Sequence, residues 1–452
     1  MADAGGGAAG VGGGAAGAAA TSGAGGAAGA RAAGTAGSGG ALGCTITATA
    51  ALAPAIPTVG IVTFTTDVTG ISSARIEFGL ASGGPVMTAP VDLTQPGYRT
   101  LLLGMRGSSS YAFRIVATSG AGTCISPDYT LVTGDVPSRS GIPTVTTTIV
   151  SPVAHANGFI VLSMARIVMI VDSSGALVWW TIGPSSYVTR AHMSWDGKDM
   201  YSLTGNPSNS NGGVARISME GTDAENNLSG LSKAHHDFTA IPGGIAAMLW
   251  TGNGPDTPNA LVERSKDGTL TTVLADFSAV YSTEQNDFHP NAIHYTPWDD
   301  GYTISDLIPR AFVKVTRKGA LVWQFGGGNP KDPSKFFTGL PPWTHNHGHH
   351  LLADGTFAFF TGGGSARIQV FTLDVANLTA TRGLDYHPAG PTSSALGDAQ
   401  FLPNGNILMN VGEGSGEIHE IDGAGQLVAR YQLAGNLGYS EFRSSLYGPP
   451  PY

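Results

Sequence analysis

Charge is scarce in this sequence: only 12% of its 452 residues are Asp, Glu, Lys or Arg. The balance is weakly acidic, −9 with His neutral, and no basic cluster stands anywhere along it. Both facts argue against nucleic acid or an anionic membrane surface as the main partner. Cysteine is almost missing. Cys44 and Cys124 are the only two, and their separation excludes a CxxC redox motif or a zinc finger. A disulfide between them would close a loop of about 80 residues and contribute roughly 4 kcal/mol through chain entropy. That pairing implies an oxidising compartment; the alternative is two separate buried thiols. No run of 18 or more apolar residues occurs, so nothing reads as a transmembrane helix. Met1-Ala2-Asp3 leads straight into Gly and Ala, so no export signal is seen in this chain. Nothing resembles a GxxxxGK[ST] phosphate-cradling loop either.

What is present divides into three stretches. Residues 1–41 are a Gly/Ala/Ser tract with almost no large apolar side chains. It cannot bury enough surface to offset backbone ordering entropy, and it reads as a flexible tether. From 42 to 136 short alternating runs appear, such as Val59-Gly60-Ile61-Val62-Thr63-Phe64 and Tyr111-Ala112-Phe113-Arg114-Ile115-Val116-Ala117. Gly, Pro and Ser turns separate them at a spacing that predicts a β-sandwich, and the module resembles a fibronectin type III domain. Cys44 falls on its first strand and Cys124 near its last, where they could be tied together.

Residues 137–452 hold an internal repeat. One thread is a hairpin: Val171-Asp172-Ser173-Ser174-Gly175-Ala176-Leu177-Val178-Trp179 returns as Thr316-Arg317-Lys318-Gly319-Ala320-Leu321-Val322-Trp323. Further copies are Arg264 to Leu270 and Ile421 to Val428, with weaker ones near Gly221 and Asn377. The second thread is a turn glycine followed by an apolar strand, at Gly158, Gly197, Gly244, Gly301, Gly355 and Gly405. Steps of about 40 to 57 residues match a four-stranded blade. The expected fold is therefore all-β: a six-bladed β-propeller at 137–452, preceded by the sandwich and the tether.

Histidines punctuate the second thread. His236 lies eight residues before Gly244, and His347 eight before Gly355. The next copy has Gly397 in the histidine position, eight before Gly405. His289 occupies the intervening repeat with a longer run to its turn. Equivalent positions in successive blades point at one axis, so the repeat predicts that His236, His289 and His347 meet at one mouth of the channel. Converging imidazoles make either a metal site or a nucleophile with acid/base partners.

The pattern resembles the bacterial arylsulfate sulfotransferases. Their signatures stand here as His236-Asp237…Ile241-Pro242-Gly243-Gly244, Phe288-His289-Pro290-Asn291 and His347…Asp354-Gly355. The resemblance covers most of 137–452, and that family also carries a β-sandwich before its propeller. It implies that His347 is the histidine sulfated during turnover, that His236 and His289 surround the sulfuryl group, and that Asn291 binds substrate. It implies a ping-pong transfer from a phenolic sulfate ester to a phenol acceptor, with no cofactor, in a periplasmic or extracellular protein. The family arginine after the middle blade's next strand is replaced by Leu307, and Arg310 is the candidate substitute for substrate binding.

Rival readings stay open at this stage. His345, His347, His349 and His350 fall within six residues and could chelate a transition metal. A propeller also suits a non-catalytic, surface-displayed binding or adhesion protein. Asp237 reads as a carboxylate that orients a loop or a neighbouring histidine rather than as a base. Lone histidines such as His155, His192, His294 and His387 read as structural, and a homodimer is compatible with everything above.

Overall fold

The structure is a computed structural model describing residues 43–451, apart from 85, 137–140, 185–186, 206–211, 252–258, 282–287 and 394. The Gly/Ala tract expected as a tether lies outside the described residues. Among these the chain is all-β, with three single-turn 3₁₀ segments and no α-helix.

The first part is two antiparallel sheets packed face to face. Strands Ile46–Leu52, Gly60–Thr66 and Thr100–Leu102 form one. Met87–Pro90, Ile71–Leu80, Ser110–Ser119, Gly122–Ile125 and Tyr129–Val132 form the other. Alternation drives the packing. Val62, Phe64, Ile76, Phe78, Phe113 and Ile115 all face inward, while Thr63 and Thr65 between them face out, as a period of two demands. Cys44 and Cys124 are joined in a disulfide across 80 residues of sequence. Replacing both with serine is expected to lower stability by roughly 4 kcal/mol, since the unfolded chain regains the entropy of that loop. Urea unfolding of the oxidised protein and the double variant checks it. Equal midpoints would mean that the sandwich core alone holds the module.

Among the described residues six further antiparallel sheets follow, each of at least four strands. Five are consecutive in sequence. The remaining one joins Phe159–Met164, Ile167–Asp172 and Leu177–Ile182 to the C-terminal strand Leu437–Arg443. The innermost strands are Val188–Met193, Ala234–Ile241, Pro290–Thr296, Asn346–Leu351, Asp398–Phe401 and Leu437–Arg443. Each packs against the next, and the last returns to the first, so the sheets close a ring around a central axis. Each innermost strand is paired on one side only, and its other edge faces the axis, short and shielded by the neighbouring sheets. Thr146–Ile149 adds a fifth strand to the outer edge of the final sheet.

Both repeat threads have a structural counterpart. Every copy of the hairpin thread turns from the third strand of a sheet to the fourth, as at Asp172 to Ala176 and Asp422 to Gln426. Gly197, Gly244, Gly301, Gly355 and Gly405 sit in or beside the turn from the innermost strand to the second. Gly355 shows why: its φ is +87°, and a Cβ there would lie 2.6 Å from Leu373 O. Phe288, Tyr295 and Trp343 are buried in the sheet cores rather than lining a pocket.

The two parts are packed together. Ile56, Val59 and Leu103 of the sandwich share one apolar cluster with Trp179, Met219 and Leu446. The Tyr447 hydroxyl accepts from Leu103 N (2.7 Å) and donates to Leu101 O (3.0 Å).

Candidate active site

The innermost strands lose regular pairing where the site forms. Register shifts occur between Val188 and Arg190, Ala234 and Phe238, Pro290 and Ala292, and Asn346 and His349. Such bulges twist a strand and re-aim its side chains. His236 goes further, with φ at +55°, a left-handed conformation that a non-glycine residue adopts only when its surroundings hold it there.

The three predicted histidines come together at the entry end of these strands. His236 Nε2 lies 3.0 Å from His289 Nε2. His347 is close enough that His289 acts on its ring and it acts on that of His236. Burial first, then the neighbouring histidines, pushes His236 well below the usual imidazole range and His347 down to about 3. Both of these rings are packed where the charged form is disfavoured, a condition that leaves an imidazole with a lone pair to offer.

His347 is the most firmly oriented of them. Its Nδ1 lies 3.1 Å from the Tyr439 hydroxyl, which donates at 2.7 Å to Asn291 O. A hydroxyl has one proton. With that proton directed at Asn291, the hydroxyl oxygen accepts from His347 Nδ1–H, which leaves Nε2 as the lone-pair nitrogen.

Asn291 and Arg310 are placed less directly. Asn291 is fully buried, donates to Asn346 O at 2.7 Å, and thereby ties the His289 strand to the His347 strand. Arg310 is exposed on the turn after Asp306, with φ at +55°. Leu307 N donates to His289 O at 3.1 Å, so this turn starts at the level of His289.

Below the histidines lies a charged layer that the sequence reading missed. Arg190 donates to Asp237 through Nε and Nη2 at 2.6 and 3.0 Å. Its Nη1 reaches across to Asp398 Oδ2 (2.6 Å) and Ser440 O (2.9 Å). The guanidinium lies 4.3 Å over the Tyr439 ring. Burial opposes the arginine's charge, but Asp237 and Asp398 outweigh it and raise its pKa. The Asp398 carboxyl is pushed up to about 6, chiefly by burial, with Arg190 pulling the other way. Asp237 thus orients an arginine, not a histidine. The repeat did carry a signal: Arg190, Asp237, Gly348 and Asp398 each stand seven residues before a turn glycine. Gly348 is the small member because a Cβ there would lie 2.1 Å from Asp398 Oδ1.

The rival reading, in which His345 to His350 chelate a metal together, finds no support in their placement. His345 is exposed. His347 faces Tyr439, His349 bonds Thr303 Oγ1 at 2.9 Å, and His350 Nδ1 accepts from Phe401 N at 3.0 Å. Strand geometry turns neighbours to different surroundings. Among the described residues no three His, Cys, Asp or Glu groups gather at ligating geometry. His155 is bonded to Glu420 and to Ser173 O.

No family model matches the chain, and no curated protein matches it in sequence. Solved structures do align with it at low identity. A protein of unknown function from Bacteroides caccae is 11% identical with a TM-score of 0.41, over 63% of this chain and 98% of that one. A putative 6-phosphogluconolactonase from Bacteroides fragilis is 13% identical with a TM-score of 0.39, over 64% and 98%. The periplasmic gluconolactonase of Pseudomonas aeruginosa is 12% identical, also with a TM-score of 0.39, over 64% and 99%.

Proposed function

We propose that the ring is a six-bladed β-propeller at 137–452, that the module at 42–136 is a fibronectin type III-like support, and that the protein is a nucleotide-independent aryl sulfotransferase. The observation that carries this reading is the orientation of His347. It is buried and neutral, its Nδ1–H is held by Tyr439, and its Nε2 is left with a lone pair beside two further imidazoles.

Nε2 attacks sulfur in line, and the bond from sulfur to the aryl oxygen breaks. The departing phenolate takes the electron pair and receives a proton from the His236–His289 pair. The acceptor phenol then returns that proton as its oxygen takes the sulfuryl group from His347. Two imidazoles 3.0 Å apart share their titration, so acid and base belong to the pair. Arg310, beside the position where Leu307 replaces the family arginine, supplies the cation for the donor's sulfate oxygens. The disulfide fits a periplasmic or extracellular location.

Acceptor dependence tests the reaction. With a chromogenic aryl sulfate, phenol release beyond one equivalent per protein is expected only when a second phenol is added, and the acceptor's sulfate ester should accumulate. Release of inorganic sulfate without an acceptor would replace the transferase by a hydrolase. Absence of release with a panel of aryl sulfates would leave a binding propeller.

A further inference from the structure

The positive φ at His236 has a consequence for its neighbour. In a regular strand His235 and His236 would face opposite sides. Here they meet: His235 Nδ1 lies 2.9 Å from His236 Nδ1. Since His236 Nε2 is 3.0 Å from His289 Nε2, both nitrogens of the central ring are engaged. Three imidazoles therefore stand in a row, linked by two nitrogen–nitrogen contacts. His235 ends the row, stacked on Trp250 with ring centroids 3.6 Å apart and planes inclined by 15°. Its Nε2 is buried, and the Asn259 side chain acts on the same ring.

The geometry points to a proton relay, His289–His236–His235, in which His289 exchanges the proton with the phenol oxygen and His235 is a positioning residue that sets where the proton rests. This role deepens the sulfuryl-transfer reading and rests on it.

Counting protons shows why the row conducts. Each nitrogen–nitrogen contact needs one proton, and three neutral imidazoles carry one each. The remaining proton sits at an outer nitrogen, on His235 Nε2 or on His289 Nδ1. Moving it from one end to the other only flips both contacts, with no ring passing through a doubly deprotonated state. The groups acting on His235 and His236 are the histidines themselves, His347 and the Asn259 side chain. No carboxylate is among them, so no fixed charge acting on these two rings holds the row in one polarity. His347 differs, because Tyr439 holds it in one tautomer.

The transfer balances with the row as acid and base. The row takes up one proton as the anionic donor ester binds. Nε2 of His347 forms its bond to sulfur, the sulfur–oxygen bond breaks, and the phenolate oxygen accepts a proton from His289. The row is then neutral and the phenol leaves. In the second half the acceptor phenol gives its proton to His289, the row is again singly protonated, and His347 is released. His236, with both nitrogens engaged, passes the proton and does not meet the substrate.

Two measurements test the relay. His235→Phe keeps an aromatic ring on Trp250 and removes the end of the row. Its rate should fall about a hundredfold, the low end of a general acid's contribution, with sulfates of phenols that leave poorly. In the first half-reaction with nitrophenyl sulfates and no acceptor, where the leaving group needs no proton, its burst rate should stay within about threefold of wild type, while with poor leaving groups the acid limb of its pH–rate profile should move. An equal loss with both donors would mean that His235 only supports packing and would overturn the relay. ¹⁵N spectra of the histidine rings in the unmodified protein are the second measurement, which needs no turnover. Ring nitrogens of His235 and His236 should show shifts between the protonated and lone-pair extremes, titrating together. Fixed, separate tautomers would overturn the relay, even if aryl sulfates were turned over normally. Shared shifts in a protein without aryl sulfate turnover would retain the row and move it to another reaction.

Discussion

His347→Ala is expected to lose turnover of aryl sulfates by at least about a thousandfold, because the covalent route disappears with its nucleophile. The wild-type protein, mixed briefly with an aryl sulfate and no acceptor, should gain one sulfuryl group (roughly 80 Da) in its intact mass. The alanine variant should gain none. Tyr439→Phe should behave differently from both. It removes the oxygen that accepts from His347 Nδ1 and keeps the ring under Arg190. The adduct should still form, but more slowly, since the ring is free to present the wrong nitrogen. An adduct that persists in His347→Ala would transfer the nucleophile's role to another histidine of the cluster. A wild type that never acquires the mass would remove the sulfohistidine altogether.

Arg190→Met should be the most damaging single change to stability. The methionine fills part of the space and leaves Asp237 and Asp398 buried without their cation. Breaking a buried ion pair from one side costs about 3–5 kcal/mol. The loss should depend on pH, and its sign follows from Asp398. Its carboxyl is raised to about 6 in the native state from an ordinary value of 3.8. Between these values the folded protein holds a proton that the unfolded chain releases, so this group favours folding at low pH and loses that contribution as pH rises through about 6. Removing Arg190 takes away the charge that pulls the carboxyl down and extends the window upward. Urea unfolding at pH 5 and pH 8 should therefore show the variant much closer to wild type at pH 5. Asp237→Asn and Asp398→Asn, added to Arg190→Met, should recover part of the loss at pH 8. An equal deficit at both pH values would mean that lost packing, not uncompensated charge, accounts for it.

Much of this architecture was legible in the chain. The Asp-x-x-Gly hairpins and the turn glycines mark strand ends chemically, because only certain residues tolerate those turns. Their regular return determined the sheets, and equal spacing before the glycine put His236 and His347 at equivalent places facing the axis. The alternating runs from 42 to 136 likewise determined the sandwich and brought Cys44 and Cys124 within reach of each other. All of these are local patterns repeated.

Which side chains meet across the axis was decided by the tertiary structure alone. Arg190, Asp237 and Asp398 share one repeat position, yet only closure of the ring brings them to a single point, where a buried arginine requires both carboxylates. Tyr439 enters from the C-terminal strand that completes the first sheet of the ring, and it orients His347 from 92 residues away. The left-handed turn of His236, which swings His235 into line, has no residue-type marker, because even histidine, which tolerates that region better than most residues, adopts it at few of its positions. Local spacing carries strands and turns; pairing between distant strands depends on how six sheets close on one another, and that is a property of the folded ring.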